Sequence, residues 1–181
     1  MWHRNSEPSE AIIRVSSAVL IAMLACAAPQ HSWALERRDM HKPGDLSVEV
    51  FVADSRDAFD EWLKTPSTNG PVLRRIHEAK FNQMAYGGFL VTGYTLDSAG
   101  KVKFAVDIRV VDPHGKIMLE EKDWAVHDGY ASNRGIIMAK NILEFFLESG
   151  DPPGLYRIEA VVRDLVANQQ AEGTYEIKVS P

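Results

Sequence analysis

Between residues 102 and 110 the chain alternates: Val102, Phe104, Val106, Ile108 and Val110 fall on one side, Lys103, Asp107 and Arg109 on the other. Successive side chains of an extended strand point to opposite faces, so this period of two describes a strand with one buried and one solvated face. Such a strand must lay its apolar face against another sheet or a helix. The pattern recurs. Leu46, Val48, Val50 and Val52 oppose Ser47 and Glu49. Tyr156, Ile158, Ala160 and Val162 oppose Arg157, Glu159 and Arg163. Tyr175, Ile177 and Val179 oppose Glu176 and Lys178.

Turn-forming residues punctuate these runs at Asp97–Gly100, Asp112–Gly115, Gly150–Gly154 and 167–170. Further strands are expected at 72–81, at 84–96 with Gly87-Gly88 as a bend, beginning again at 116–119 after the Asp112–Gly115 turn, and at 142–148. Residues 123–141 read as a long connection holding one strand near 136–139. In Phe145-Phe146 adjacent aromatic rings must face opposite ways, one into the core and the other beneath a helix or into an interface. One segment changes period. Phe59, Trp62 and Leu63 share a face at helical spacing, Asp54 or Ser55 can cap the start, and Pro66 follows the end, which predicts a short helix over about 55–64.

About eight short strands with frequent turn signals imply an antiparallel sandwich. One stretch is more specific. Asp151-Pro152-Pro153-Gly154-Leu155-Tyr156, an alternating strand, Asp164, a polar turn and a last strand resemble the closing hairpin of immunoglobulin-like and fibronectin-type-III-like domains. The resemblance spans residues 45–180. It implies an all-β, antiparallel immunoglobulin-like sandwich without the antibody disulfide, in which Tyr156 bonds back to the corner before it. The chain resembles small exported bacterial proteins of this build. The resemblance implies no activity, because such sandwiches host many unrelated functions.

Residues 1–34 carry a different signature. Arg4 and Arg14 precede a short apolar run over 15–28, and small residues follow. The run is shorter than the roughly 20 residues that span a bilayer, and its layout is that of a secretory signal peptide. Ser32-Trp33-Ala34 places small residues for a cut after Ala34. Ala25-Cys26-Ala27 is a second candidate, and Met23-Leu24-Ala25-Cys26 is close to a box for a lipid anchor at Cys26. Glu7 and Glu10 are unusual in such a leader, and the true start codon can lie further along. Residues 35–44 then form a tether, and 45–181 the domain. Cys26 is the chain's single cysteine, so a domain beginning after the leader has no thiol or disulfide chemistry.

With a net charge of −5 there is no basic stripe for a phosphate backbone, so nucleic acid is not an expected partner. His41, His77, His114 and His127 show no metal-ligand spacing, and a copper–thiolate site needs a cysteine. No nucleophile elbow surrounds Ser132, and Gly87-Gly88 lacks the lysine and helix of a phosphate loop. Glu120-Glu121 and Asp57 with Glu61 read as solvated carboxylates. No catalytic residue, metal or cofactor is expected. The expectation is a non-catalytic protein-interaction module of the bacterial periplasm or cell envelope. Its partner is another envelope protein, met through a sheet face, a sheet edge or the 123–141 stretch, with Trp124, His127, Tyr130 and Asn133 as binding residues. The alternative is a carbohydrate- or small-ligand-binding sandwich that stacks its ligand on Trp62 or Trp124. Against that stands the possibility that Trp62 pins the helix and Trp124 lies in the core.

Overall fold

The computed structural model describes residues 11–14, 45–65, 73–130 and 135–181; the predicted leader and tether otherwise lie outside the described residues. The strands are β1 (Ala11–Arg14), β2 (Ser47–Ala53), β3 (Glu78–Lys80), β4 (Met84–Thr92), β5 (Lys101–Val111), β6 (Ile117–Tyr130), β7 (Ile136–Met138), β8 (Leu143–Phe146), β9 (Gly154–Asp164) and β10 (Gln169–Ser180). Helix α1 (Asp57–Lys64) follows β2. Two sheets form. The first runs β1-β8-β4-β2, with β7 also paired to β4; the second runs β3-β10-β9-β5-β6.

Register and periodicity agree. Val48, Val50 and Val52 lie opposite Val91, Phe89 and Gly87, facing the second sheet. On β5, Val102, Phe104, Val106, Ile108 and Val110 face inward, and β9 matches them with Tyr156, Ile158, Ala160 and Val162. Phe89, Phe104, Val106 and Val162 are wholly removed from solvent. That burial drives assembly, because each such side chain contributes about 1.5–3 kcal/mol on leaving water.

The closing hairpin forms as the resemblance implies. The Tyr156 hydroxyl donates to the Pro152 carbonyl at 2.8 Å. Burial, with the neighbouring Asp151 and Asp112 charges, pushes its phenol up to about 12. At the other end of β9, buried Asp164 accepts the N–H groups of Thr95 at 2.7 Å, Val166 at 2.8 Å and Ala167 at 3.1 Å. Burial alone would raise its pKa. The N–H groups of Ala167, Thr95 and Val166 outweigh burial and hold the carboxyl below the usual range. β2 pairs with β4 in one sheet, while β3 crosses over to pair parallel with β10 in the other. With β4 followed by β5 and β6 across the sandwich, then β7 and β8 back beside β4, this is the Greek-key order of an immunoglobulin-like β-sandwich.

Several elements differ in extent from the expectation. The 72–81 strand shrinks to Glu78–Lys80, because Ile76 instead donates to the Val52 carbonyl at 2.9 Å. The 142–148 strand is Leu143–Phe146, with Phe145 in the core and Phe146 half-buried on the outer face. The main change is β6. It continues to Tyr130 through what reads in sequence as a connection. Between the pairs Ile108–Glu121 and Val106–Ala125 the partner strand carries two extra residues, Lys122 and Asp123. Asp123 takes a positive φ of 52°, and its N–H is held by the Asp107 carboxylate at 2.8 Å. Arg163 bridges Asp107 at 3.0 Å and Asp123 at 2.5 Å. With three residues opposite one, this bulge interrupts the alternation without changing its phase, for Glu121 and Ala125 both lie opposite inward residues of β5.

Replacing Tyr156 with Phe removes the corner bond and leaves the Pro152 carbonyl short of a donor. The expected cost is about 1–2 kcal/mol, seen as a lower urea midpoint with an unchanged slope.

Candidate functional site

The two sheets differ in what they show outward. On the second sheet the outer face carries Lys103, Asp107 and Arg109 from β5, Arg157, Glu159 and Arg163 from β9, and Glu176 and Lys178 from β10. Glu159, almost wholly covered, sits between Arg109 at 2.5 Å and Arg157 at 2.5 Å. This is a face held by charge pairing.

The first sheet presents Phe51 and Ala53 from β2, Tyr86, Gly88 and Leu90 from β4, Ile136 and Met138 from β7, and Phe146 from β8. Glu144 interrupts this apolar surface and pairs with Arg56 at 3.5 Å. Helix α1 covers part of it. Phe59 stacks on Phe51 with ring centroids 5.3 Å apart, and Trp62 packs beside them. The approach is close because β4 has no side chain there: a Cβ on Gly88 would lie 2.4 Å from the Phe51 ring. Eight residues of helix cannot cover the whole face. Tyr86, Ile136, Met138 and Ile142 remain half-buried around the cluster, and Leu63 is 76% exposed.

The residues singled out from sequence do not form one surface. Trp124 is only 7% exposed and belongs to the inter-sheet core, where its indole N–H finds no hydrogen-bond partner among the described residues; its backbone carbonyl accepts from the Asn141 side chain. His127 is partly covered and stacks on Phe104 at 5.1 Å, turned inward like Phe104. Tyr130 is 73% exposed at the end of β6, with the Lys101 ammonium over its ring at 5.9 Å. Asn133 lies outside the described residues. Trp62, on the buried side of α1, is 8% exposed. Neither indole therefore offers a free face for stacking a sugar ring.

A void lined by Val110, Met118, Phe145, Tyr156, Ile158 and Ile177 holds about 10 Å³, the lower limit for one water. No group of three or more His, Cys, Asp or Glu among the described residues is placed to hold a metal ion. No helix among them is long and apolar enough to cross a membrane. The half-buried apolar face beside α1 went unnoticed in sequence. Its signal was present as Phe51, which falls on the face of β2 that also carries Ser47 and Glu49.

No protein-family model matches this chain, and no curated protein matches it in sequence. Among solved structures it is similar to the CARDB domain of a Pyrococcus furiosus protein, at 16% identity and a TM-score of 0.38, over 75% of this chain and 88% of that one. It is also similar to the PKD domain of an M14-like peptidase from a Thermoplasmatales archaeon, at 16% identity and 0.39, over 59% and 88%. A Niemann-Pick type C2 protein from the Japanese carpenter ant follows at 9% identity and 0.39, over 75% and 92%. Scores this low carry no argument about function.

Trp124→Ala is expected to cost about 3–5 kcal/mol, whereas Tyr130→Ala stays within about 0.5 kcal/mol; urea unfolding of the two variants measures the difference. Burial, and next the Lys140 charge, push the His127 imidazole below its ordinary value, against the opposing pull of the Tyr130 backbone and Asp128. The fold therefore favours neutral His127. Its contribution is complete above the unfolded imidazole value of about 6.5 and is lost as pH falls through the lower folded value. The urea midpoint should drop in that window, and less steeply in His127→Asn.

Proposed function

We propose that this domain is a non-catalytic protein-interaction module of the bacterial periplasm or cell envelope, and that it meets another envelope protein through the outer face of the first sheet. The observation that carries the reading is the asymmetry of the two outer faces. A sandwich sheet with one solvated face has polar residues there, as the second sheet does. The first sheet has Phe51, Tyr86, Leu90, Ile136, Met138 and Phe146 instead, with one short helix over part of them. A half-covered apolar surface on a rigid scaffold, bordered by polar residues, is what a protein partner recognises. The envelope location rests on the leader-like residues 1–34. With both indoles packed inside, the carbohydrate alternative has no observation in its favour.

Met138→Lys places a charge on the half-buried part of this face, where the long side chain can still reach water without disturbing the fold. Capture of an envelope protein by the immobilised chain should fall about tenfold or more relative to the parent. Glu176→Lys, on the charged face of the second sheet, should leave capture intact. Equal capture by the Met138 variant would sink the reading.

A further inference from the structure

Along the outer side of β8 the first sheet is closed by the leader-like part of the chain. β1 (Ala11–Arg14) runs parallel to β8 over its whole length, with Ala11 opposite Leu143, Ile12 opposite Glu144, Ile13 opposite Phe145 and Arg14 opposite Phe146. Cleavage after Ala34, a cut near Cys26 and a later start codon would each remove Ala11–Arg14 from the exported domain. The backbone groups of β8 that β1 satisfies then lose their partner. An unpaired strand edge is a ready template for another strand.

The surroundings of that edge define what fits it. Leu143 and Phe145 belong to the inter-sheet core. Glu144 and Phe146 lie on the other face, in register with Tyr86 and Met84 of β4. Paired residues of neighbouring strands share a face. The first and third residues of an occupant therefore continue the core, and the second and fourth continue the apolar outer face. A strand covered on both faces is an unbroken apolar run, not an alternating one, and Ala11-Ile12-Ile13 is such a run. Glu144, the only charged residue of β8, already pairs with Arg56 at 3.5 Å, so an occupant need bring no cation to meet it.

We propose that Leu143–Phe146 is the strand-acceptor edge of the exported domain. The place of Ala11–Arg14 is taken there by a parallel, extended, proline-free segment of the partner protein with at least three consecutive apolar residues. This rests on the interaction-module reading and on the leader, and it names how part of the partner is held. Main-chain hydrogen bonds to β8 supply the attachment, and side-chain cover on both faces supplies the selection. The edge adjoins the apolar outer face through Phe146 and Tyr86, so one partner can add its strand to β8 and cover the face beside it.

Amide hydrogen exchange on the full chain tests this. Ile12→Pro combined with Ile13→Pro removes two backbone donors from β1 and should release it. The β8 amides that point away from β4 should then exchange about tenfold faster, while those of β9 stay unchanged. A peptide of residues 9–15, Ser-Glu-Ala-Ile-Ile-Arg-Val, at millimolar concentration should restore the protection. The same peptide with proline at both isoleucine positions should not. Capture of an envelope protein should rise about tenfold when β1 is released, and fall again with excess peptide. The proposal is overturned if release leaves the β8 amides unchanged, if the peptide fails to protect them, or if the proline peptide protects equally. It is overturned too if β9 loses protection, which makes β1 part of the cooperative core, or if protection returns with protein concentration alone, which identifies a second copy as the occupant. If Met138→Lys abolishes capture while release of β1 leaves it unmoved, only the edge assignment fails. If capture survives Met138→Lys, the face reading fails whatever the peptide does.

Discussion

The contact between the inward rows of the two sheets supports every other feature of this domain. Val102, Phe104, Val106 and Ile108 on β5, with Tyr156, Ile158 and Val162 on β9, meet Val50, Val52, Phe89 and Val91 across the sandwich. A slip of one residue would turn Lys103, Asp107 and Arg109 into that space and their apolar neighbours out of it. The inward rows thus set register as well as stability. The corner bond of Tyr156 and the three N–H groups held by Asp164 then fix the two ends of β9, where chain reversals would otherwise leave backbone groups unpaired.

The core is common to both sheets, and what distinguishes them is their outer faces. Charge pairs such as Arg109–Glu159–Arg157 make the second sheet's face complete in water. The first sheet's face stays apolar, and α1 is the fold's partial answer to it. Gly88 permits the close stacking of Phe51 and Phe59, so the helix sits low over β2 and β4 and leaves β7 and β8 less covered. The half-buried apolar face beside α1 makes one side of the molecule the candidate partner surface.

Much of this was legible in the residues. The strands with unbroken alternation, the turns between them, the short helix and the Tyr156 corner all follow from local rules. What escaped was the second half of β6. Lys122 and Asp123 insert two residues against Asp107, so the period of two is interrupted just before Trp124. An exposed aromatic loop and a bulged strand then look alike. Trp124 and His127, read as binding residues, turn inward, while Tyr130 alone of the described set reaches solvent.

By itself, then, the sequence determined an antiparallel sandwich, because alternation and turn chemistry are local and need no knowledge of neighbours. Tertiary structure decided which outer face is solvated and which aromatics are buried. Those depend on how far one eight-residue helix can reach, and on how the bulge at Lys122 and Asp123 re-aims β6. Both are contacts between residues distant along the chain, set by packing and invisible to any period.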